Sequence, residues 1–331
     1  MSSLAINTRQ VKAKSIFCRA VFLVTISLLL GACTTAPTKP SMAEIGIYSA
    51  PQGSGFLPYA QGLAHYLSAN GLKAQALETK GSIENMGRLD AEPGGVGAVF
   101  LGTAYEGVNG TGGWTKGKKH SNVRALFPMY ETSFQIVTLR SSGLTTLRSL
   151  SGKRVGVGPA GGPVENFFKG LVAATGVQAK IVTGTPANLV KDLHEGRIDA
   201  LWQGASVPIP SIKQVTDATD AAVFGLNDDE LTAMLKQFPF LSPASVAPNT
   251  YRGQTKMFKS VAAWNFIMAH KDMSDADAYW ITRTVLSAAK SNDIHSSAGP
   301  TLTANAPNNA VVPFHTGALK FYREQGISGL K

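Results

Sequence analysis

A strand, a glycine-rich turn and the start of a helix follow one another in residues 151–166, which read SGKRVGVGPAGGPVEN. This arrangement is typical of α/β domains, because their parallel strands feed helices through short turns. Glycines in such a turn let a ligand approach the backbone N–H groups at the positive end of the helix dipole. The turn therefore predicts either an anion-binding site or a tight connection that holds no ligand.

The glycines Gly156, Gly158 and Gly161 have the spacing of a dinucleotide-binding fingerprint. That fingerprint also needs the first βα unit of a domain and an acidic residue about 20 positions further on. Here the turn lies in the middle of the chain, and residues 177–183 contain Lys180 but no carboxylate. These departures argue against a nucleotide and leave another anion, or no ligand, as the alternatives.

The N-terminal segment 1–32 has the pattern of a secretory signal peptide. Four basic residues precede an apolar run at 20–30, and this run is too short for an ordinary membrane-spanning helix. The run ends in Leu-Gly-Ala-Cys, which resembles the lipobox of bacterial lipoproteins and predicts a lipid on Cys33. Residues 33–43 read as a tether. We expect a periplasmic protein anchored to a membrane, and Thr34 after the cysteine favours the outer membrane in a Gram-negative host.

Composition narrows the chemistry of the mature chain. Cys18 lies in the predicted signal peptide and Cys33 would carry the lipid, so the mature domain has neither a disulfide nor a thiolate metal site. The six histidines show no paired metal-binding spacing, and we expect no metal and no cofactor. The net charge is +10, or +6 without the four basic residues of segment 1–32. This weak excess favours anionic ligands over nucleic acid, and we expect a monomer.

Strand and helix patterns alternate twice along the chain. The expected elements include strands at 123–127, 134–139 and 261–269 and a helix at 274–290. The pattern predicts an α/β protein with two lobes, the plan of a type II periplasmic binding protein. Residues 44–136 and 245–331 would form lobe 1, residues 137–244 would form lobe 2, and the chain would cross between them near 134–140 and 241–262.

Six segments in the same order resemble the TAXI family of solute-binding proteins, which serve TRAP-type transporters. They are residues 81–114, which include YEGVNGTGGW, residues 124–137 with Tyr130 and Glu131, LRSLSGKRVGVGPAGG at 147–162, IDALWQGASVPIPSI at 198–212, YRGQ at 251–254 and VPFHTGALKFYREQG at 312–326. The resemblance implies a two-lobe fold, an extracytoplasmic location and capture of small organic anions such as dicarboxylates or glutamate-like compounds.

Three turns depart from the pattern of that family. The first loop reads GSGFLP at 53–58 and lacks two tyrosines, the turn after the third strand is Leu-Gly-Thr at 101–103, and the central turn ends in Gly-Gly-Pro-Val at 161–164. Each lost hydrogen bond to a charged group is worth about 1.5–3 kcal/mol. We therefore expect a ligand that is larger or more apolar than a small dicarboxylate.

The expected ligand-binding residues lie where strands end and helices begin. They are Ser54, Gly55, Phe56, Thr103, Tyr130, Ser133, Gln135, Gly161, Gly162, Glu165, Gln203 and Ser206. Phe56 and the neighbouring Trp202 are equally well explained as core aromatics. The predicted function is capture of a solute and its delivery to TRAP membrane subunits, without catalysis. A sensor that signals through a membrane receptor and, more remotely, a periplasmic enzyme stay open as alternatives.

Overall fold

The computed structural model describes residues 39–331 with the exception of Gly53. The predicted signal peptide, Cys33 and the tether before Lys39 lie outside the described residues. The described strands are β1 (Glu44–Tyr48), β2 (Lys73–Leu77), β3 (Gly95–Phe100), β4 (Val123–Leu139), β5 (Arg154–Gly156), β6 (Lys180–Val182), β7 (Ala200–Ala205), β8 (Ala221–Phe224), β9 (Ser242–Val246) and β10 (Phe258–His270).

Nine α-helices accompany these strands in the described part of the chain. They are α1 (Phe56–Ala69), α2 (Ser82–Ala91), α3 (Leu101–Asn109), α4 (Pro163–Thr175), α5 (Pro186–His194), α6 (Pro210–Ala218), α7 (Asp228–Gln237), α8 (Asp275–Leu286) and α9 (Thr316–Glu324). Helix α5 is capped at its start, because the Thr185 hydroxyl accepts a hydrogen bond from the Asn188 N–H and Pro186 occupies the first turn.

The strands form one continuous sheet in the order β2-β1-β3-β10-β4-β7-β5-β6. Strand β8 pairs with β4, and β9 pairs with β10. The first lobe is built on β1, β2 and β3, and the second lobe on β5, β6, β7 and β8. Strands β4 and β10 contribute to both, so the predicted two-lobe α/β architecture is confirmed. The residue boundaries 44–136, 137–244 and 245–331 remain predictions.

Strand β4 corrects one expectation. The sequence predicts two strands, at 123–127 and 134–139, whereas the structure has one 17-residue strand. Pro128 cannot donate a ladder hydrogen bond, but it lies opposite Phe266 beside a register shift, where such a gap is tolerated. The long strand therefore runs without interruption from one lobe into the other.

Several further elements lie in segments that the sequence analysis leaves unassigned. Helices α3, α6 and α7 and strand β9 have at most ten residues each, so a periodic pattern repeats too few times in them to be distinctive. Helix α7 carries a recognisable signal, since Asn227 and Glu230 cap its start reciprocally. The helix expected at 274–290 is shorter and ends at Leu286.

The core of the second lobe lies on both faces of the sheet. Along β4 the side chains alternate, so Phe134 and Ile136 belong to one buried cluster and Val137 belongs to another. Strand β7 repeats the alternation, with Trp202 in the first cluster and Leu201 in the second. Residues on neighbouring positions of these strands therefore face different environments.

Candidate ligand-binding site

Two crossing strands position the candidate site. Strand β4 pairs with β10 up to Ser133 and with β7 from Ser133 onward. Strands β1, β3 and β5 are followed by helices α1, α3 and α4. In open α/β sheets, ligands bind beyond the carboxyl ends of the parallel strands. The candidate site therefore comprises the starts of these three helices and the crossing point on β4.

The start of α1 packs against the side chain of Tyr130. Gly55 is the N-cap residue of α1 and provides no side-chain cap. A Cβ placed on Gly55 would lie 2.7 Å from Tyr130 Oη, so only glycine allows this approach. The Ser54 hydroxyl accepts a hydrogen bond from the Phe56 N–H at 3.2 Å. These contacts bring together four of the predicted residues.

Tyr130 is buried, with 4% of its surface exposed. Burial raises the pKa of its phenol, so the hydroxyl keeps its proton and can act as a donor. A neutral donor beside the N–H groups of a helix start suits one oxygen of a carboxylate.

Five aromatic rings fill the space between the two lobes. We call them the inter-lobe aromatic cluster, and its members are Phe100, Tyr105, Phe134, Phe167 and Phe240. Ring centroids are 5.3 Å apart for Phe100 and Phe167, and 5.4 Å apart for Tyr105 and Phe240. Phe56, whose ring centroid lies 6.3 Å from that of Tyr130, packs against the larger buried core that includes four of these five rings. The region beside the Tyr130 hydroxyl is therefore strongly apolar.

Helix α3 faces this cluster with Gly102. A Cβ at this position would lie 2.5 Å from ring atoms of Phe100 and Phe167 and 2.8 Å from Phe240. The next residue, Thr103, is buried in the first turn of α3. Thr103 thus lies one residue from the contact with the second lobe.

A second group of predicted residues forms a buried polar network at the crossing point. Gln135 lies opposite Gln203 on β7 and donates a hydrogen bond to the Ser133 hydroxyl at 3.3 Å. The Tyr251 hydroxyl donates to Gln135 Oε1 at 2.7 Å and accepts from the Ile209 N–H at 2.8 Å. This network occupies the face of β4 opposite to Phe134, so it lies behind the aromatic cluster.

The glycine-rich turn at the start of α4 is largely satisfied by its own chain. The Gly161 N–H donates to the Glu165 carboxylate at 2.5 Å, and the Gly162 N–H donates to the Pro159 carbonyl at 3.1 Å. Lys169 pairs with Glu165 at 2.7 Å and, with the Gly161 N–H, lowers the pKa of that carboxyl group. Two N–H groups that the sequence analysis assigned to an anion are thus engaged internally.

Ser206, Trp202 and Glu131 lie beside these groups. Ser206 is partly buried just after β7, next to the cis peptide bond between Val207 and Pro208. Trp202 is fully buried, stacks on Phe134 at 5.5 Å and donates its indole N–H to the Val164 carbonyl. Trp202 is therefore a core residue. Burial raises the pKa of Glu131, whose carboxylate accepts a hydrogen bond from Ser242.

Ten of the twelve predicted site residues thus fall into three groups: the α1 start with Tyr130, the Ser133–Gln135–Gln203 network, and the turn with Glu165. Thr103 at the start of α3 and Ser206 after β7 lie outside them. The sequence analysis missed the aromatic cluster and Tyr251. Two glycines hint at the buried rings. Gly102 and Gly170 lie inside helices without a positive φ, where glycine is unfavourable, and a Cβ at either position would collide with aromatic rings.

The part of the chain that the structure describes contains neither a cluster of metal-binding side chains nor a membrane-spanning helix. In residues 39–331, no three His, Cys, Asp or Glu side chains come close enough to bind a metal ion. The helices of the same region lack the length and hydropathy that a bilayer crossing requires.

Known structures share this architecture. MatC from Rhodopseudomonas palustris, solved with bound malate, has a TM-score of 0.53 and 11% identity, and the alignment covers 85% of this chain and 96% of MatC. The periplasmic binding protein BugD has a TM-score of 0.49 and 12% identity, with 86% and 98% covered. The aliphatic sulphonate-binding protein SsuA from Escherichia coli has a TM-score of 0.44 and 12% identity, with 86% and 91% covered. The likeness to MatC shows the fold.

A protein-family model supplies the family. The model of the NMT1-like family matches residues 47–326, which include both lobes and both crossing strands. Because the match extends over most of the sequence, the chain belongs to the NMT1-like family.

Proposed function

We propose that this protein is an extracytoplasmic solute-binding protein that captures a small organic anion between its lobes, without catalysis. The carrying observation is the pair of crossing strands, β4 and β10, which join the lobes and place three helix starts at their junction. Two lobes joined by two strands are built for hinged closure around a ligand. MatC, which shares the fold, was solved with a small organic anion, and the predicted signal peptide at 1–32 supports a periplasmic location.

The ligand combines a carboxylate with an apolar body. The Tyr130 hydroxyl provides a donor for the carboxylate, and the positive end of the α1 dipole beside it favours the negative charge. Phe56 and the buried core that includes the aromatic cluster favour an apolar remainder. MatC was solved with malate, which is small and polar. The rings of this chain instead support the expectation of a larger or more apolar ligand.

Lipid attachment and transport complete the proposal. A lipid on Cys33 would hold the protein on a membrane, preferentially the outer membrane, with residues 33–43 as the tether. The six TAXI-like segments support a TRAP-type transporter as the partner that receives the ligand. The Cys33→Ala variant should move from the membrane fraction to the soluble periplasmic fraction, and an unchanged membrane fraction would count against acylation.

Calorimetry tests the ligand. Titration with a panel of carboxylic acids should give one site, with arylalkanoic acids bound more tightly than glutamate or 2-oxoglutarate. Tyr130→Phe should weaken binding by about tenfold to a hundredfold, because it removes one hydrogen bond to a charged group worth about 1.5–3 kcal/mol. Tyr279→Phe is the control, since that hydroxyl binds Glu324 at 2.6 Å on another surface. Equal affinity in both variants, or tight binding of glutamate, would contradict the proposal.

A ligand sensor is the second candidate, because the same closure could signal to a membrane receptor. Reconstitution in proteoliposomes distinguishes the two functions. Uptake of the calorimetrically identified acid that requires both this protein and a TRAP membrane component supports transport. Ligand binding without any uptake would favour sensing.

A further inference from the structure

The inter-lobe aromatic cluster joins the two lobes directly. Phe240 lies between α7 and β9, and α7 packs against α4 of the second lobe. Its ring contacts Tyr105 at 5.4 Å and Phe100 at 6.3 Å, and both of these residues belong to the first lobe. Phe167 of α4 contacts Phe100 at 5.3 Å. The second lobe therefore inserts two rings into the first.

The sequence makes room for these rings. Gly102 on α3 has no positive φ, yet a Cβ there would lie 2.5 Å from Phe167 and 2.8 Å from Phe240. Gly170 on α4 likewise lacks a positive φ, and a Cβ there would lie 2.2 Å from the Phe238 ring. Neither backbone conformation requires glycine. Gly102 is explained by the rings of both lobes that lie on it, so the sequence specifies this contact, whereas Gly170 makes room for Phe238 within the second lobe.

Phe240 is the ring that can leave without breaking a helix. Phe100 ends a strand and Phe167 lies within α4, and they are 4% and 2% exposed. Phe240 lies in a short irregular connection and is 9% exposed. Its displacement needs only a rearrangement of residues 238–241. The space that it would vacate is lined by Phe100, Tyr105 and Phe167, which fits a flat apolar ring.

We propose that Phe240 is a latch that holds the two lobes together without ligand, and that the ligand is a carboxylic acid whose aromatic ring takes the place of Phe240. This inference rests on the proposed solute-binding function. The carboxylate binds at the start of α1 and the Tyr130 hydroxyl, next to Phe56, which packs against the buried core that includes the cluster. The ring of the ligand restores the contacts that the latch loses, whereas an acid without a ring gains nothing from displacing Phe240 and binds at the start of α1 with the latch in place.

The test compares Phe240→Ala with Phe238→Ala in the full chain. Phe238 is the matched control, because it lies two residues away and its ring contacts Phe167 and Phe240 but neither Phe100 nor Tyr105 of the first lobe. Without ligand, Phe240→Ala should raise the hydrogen-exchange rate of the amides of residues 101–105 by about tenfold, since the lobes separate more often. Phe238→Ala should leave that rate near the wild-type value. Equal exchange in the wild type and Phe240→Ala overturns the latch.

Calorimetry with 3-phenylpropionate and succinate tests the ring. Phe240→Ala should bind 3-phenylpropionate about tenfold more tightly than the wild type, because the ligand no longer competes with the latch, while its affinity for succinate stays unchanged. An equal gain for both acids overturns the aromatic class. Binding of succinate but not 3-phenylpropionate leaves the solute-binding function standing and overturns this proposal. If neither acid binds any variant, both the proposed carboxylate ligand and its ring fail, and the exchange rates still decide the latch.

Discussion

Replacing Gly170 by alanine tests whether the phenyl rings lie where the structure places them. Gly170 is in the interior of α4, and the added methyl carbon would lie 2.2 Å from Phe238 Cζ and 2.5 Å from Cε2. These atoms must move apart by more than 1 Å to reach ordinary contact distances of about 3.5–4.0 Å. Forcing a methyl group into a packed core costs about 1–3 kcal/mol.

Gly87 provides the matched control. It lies in the interior of α2, and a Cβ there meets no atom within 4 Å. Both changes gain about 0.5–1 kcal/mol from the lower conformational entropy of the unfolded chain and the better helix propensity of alanine. Gly87→Ala should therefore stabilise the protein by about that amount, whereas Gly170→Ala should destabilise it by up to about 2 kcal/mol.

Thermal unfolding followed by circular dichroism measures the difference. At about 2–4 °C per kcal/mol for a protein of this size, the two midpoints should move in opposite directions. Phe238→Leu in the Gly170→Ala background should recover much of the loss, because the ring that meets the methyl group is gone. An increase in Tm for Gly170→Ala that equals the increase for Gly87→Ala would refute the placement of Phe238.

Two pH-dependent predictions concern groups outside the candidate site. Asp277 is buried, which opposes ionisation, but serine hydroxyls and the N–H groups of Ser41 and Met42 bind its carboxylate and leave its pKa lowered. Asp277→Ala should lower the free energy of unfolding at pH 7 by about 1–3 kcal/mol. Below about pH 4 the unfolded carboxylate takes up its proton before the folded one does, so the difference in unfolding free energy between the variant and the wild type, measured by chemical denaturation, should shrink. Burial lowers the pKa of His315, whose Nδ1 accepts the Gly317 N–H at 3.2 Å. The wild type should lose stability as the pH falls below about 6.5, because the histidine binds a proton in the unfolded state but not in the folded state. In the same pH series the free energy of unfolding of His315→Asn should depend less steeply on pH, and equal pH dependence in the two proteins would contradict this.

Periodicity predicted most of the regular elements, because buried faces repeat every two residues in strands and about every 3.6 in helices. The strand expected at 261–269, which lies within β10, illustrates this. The same rule failed at 128–133, since Pro128 interrupts the hydrophobic alternation although pairing with β10 carries the strand through. Continuity there depends on a tertiary partner that local sequence does not reveal.

The candidate site was predictable in part. Turn residues such as Ser54 and Gly55 lie between a strand and the helix that follows it, and in an α/β fold this position alone predicts a ligand site. The sequence predicts that the Glu165 carboxylate faces the ligand. In the structure it accepts a hydrogen bond from the Gly161 N–H, a local contact that the spacing of four residues makes possible. The aromatic cluster unites residues from distant parts of the chain, so no sequence window contains it.

The most direct test of the account is the identity of the small molecule that the protein carries. Protein isolated from membranes of its own host is denatured with acid, and the released compounds are quantified by mass spectrometry. The account predicts about one carboxylic acid with an aromatic ring per chain, lost from Tyr130→Phe during purification and retained by Tyr279→Phe, because removal of one charged hydrogen bond weakens binding at least about tenfold. Equal recovery from both variants, or no carboxylic acid from the wild type, would contradict capture at the start of α1 between the two lobes.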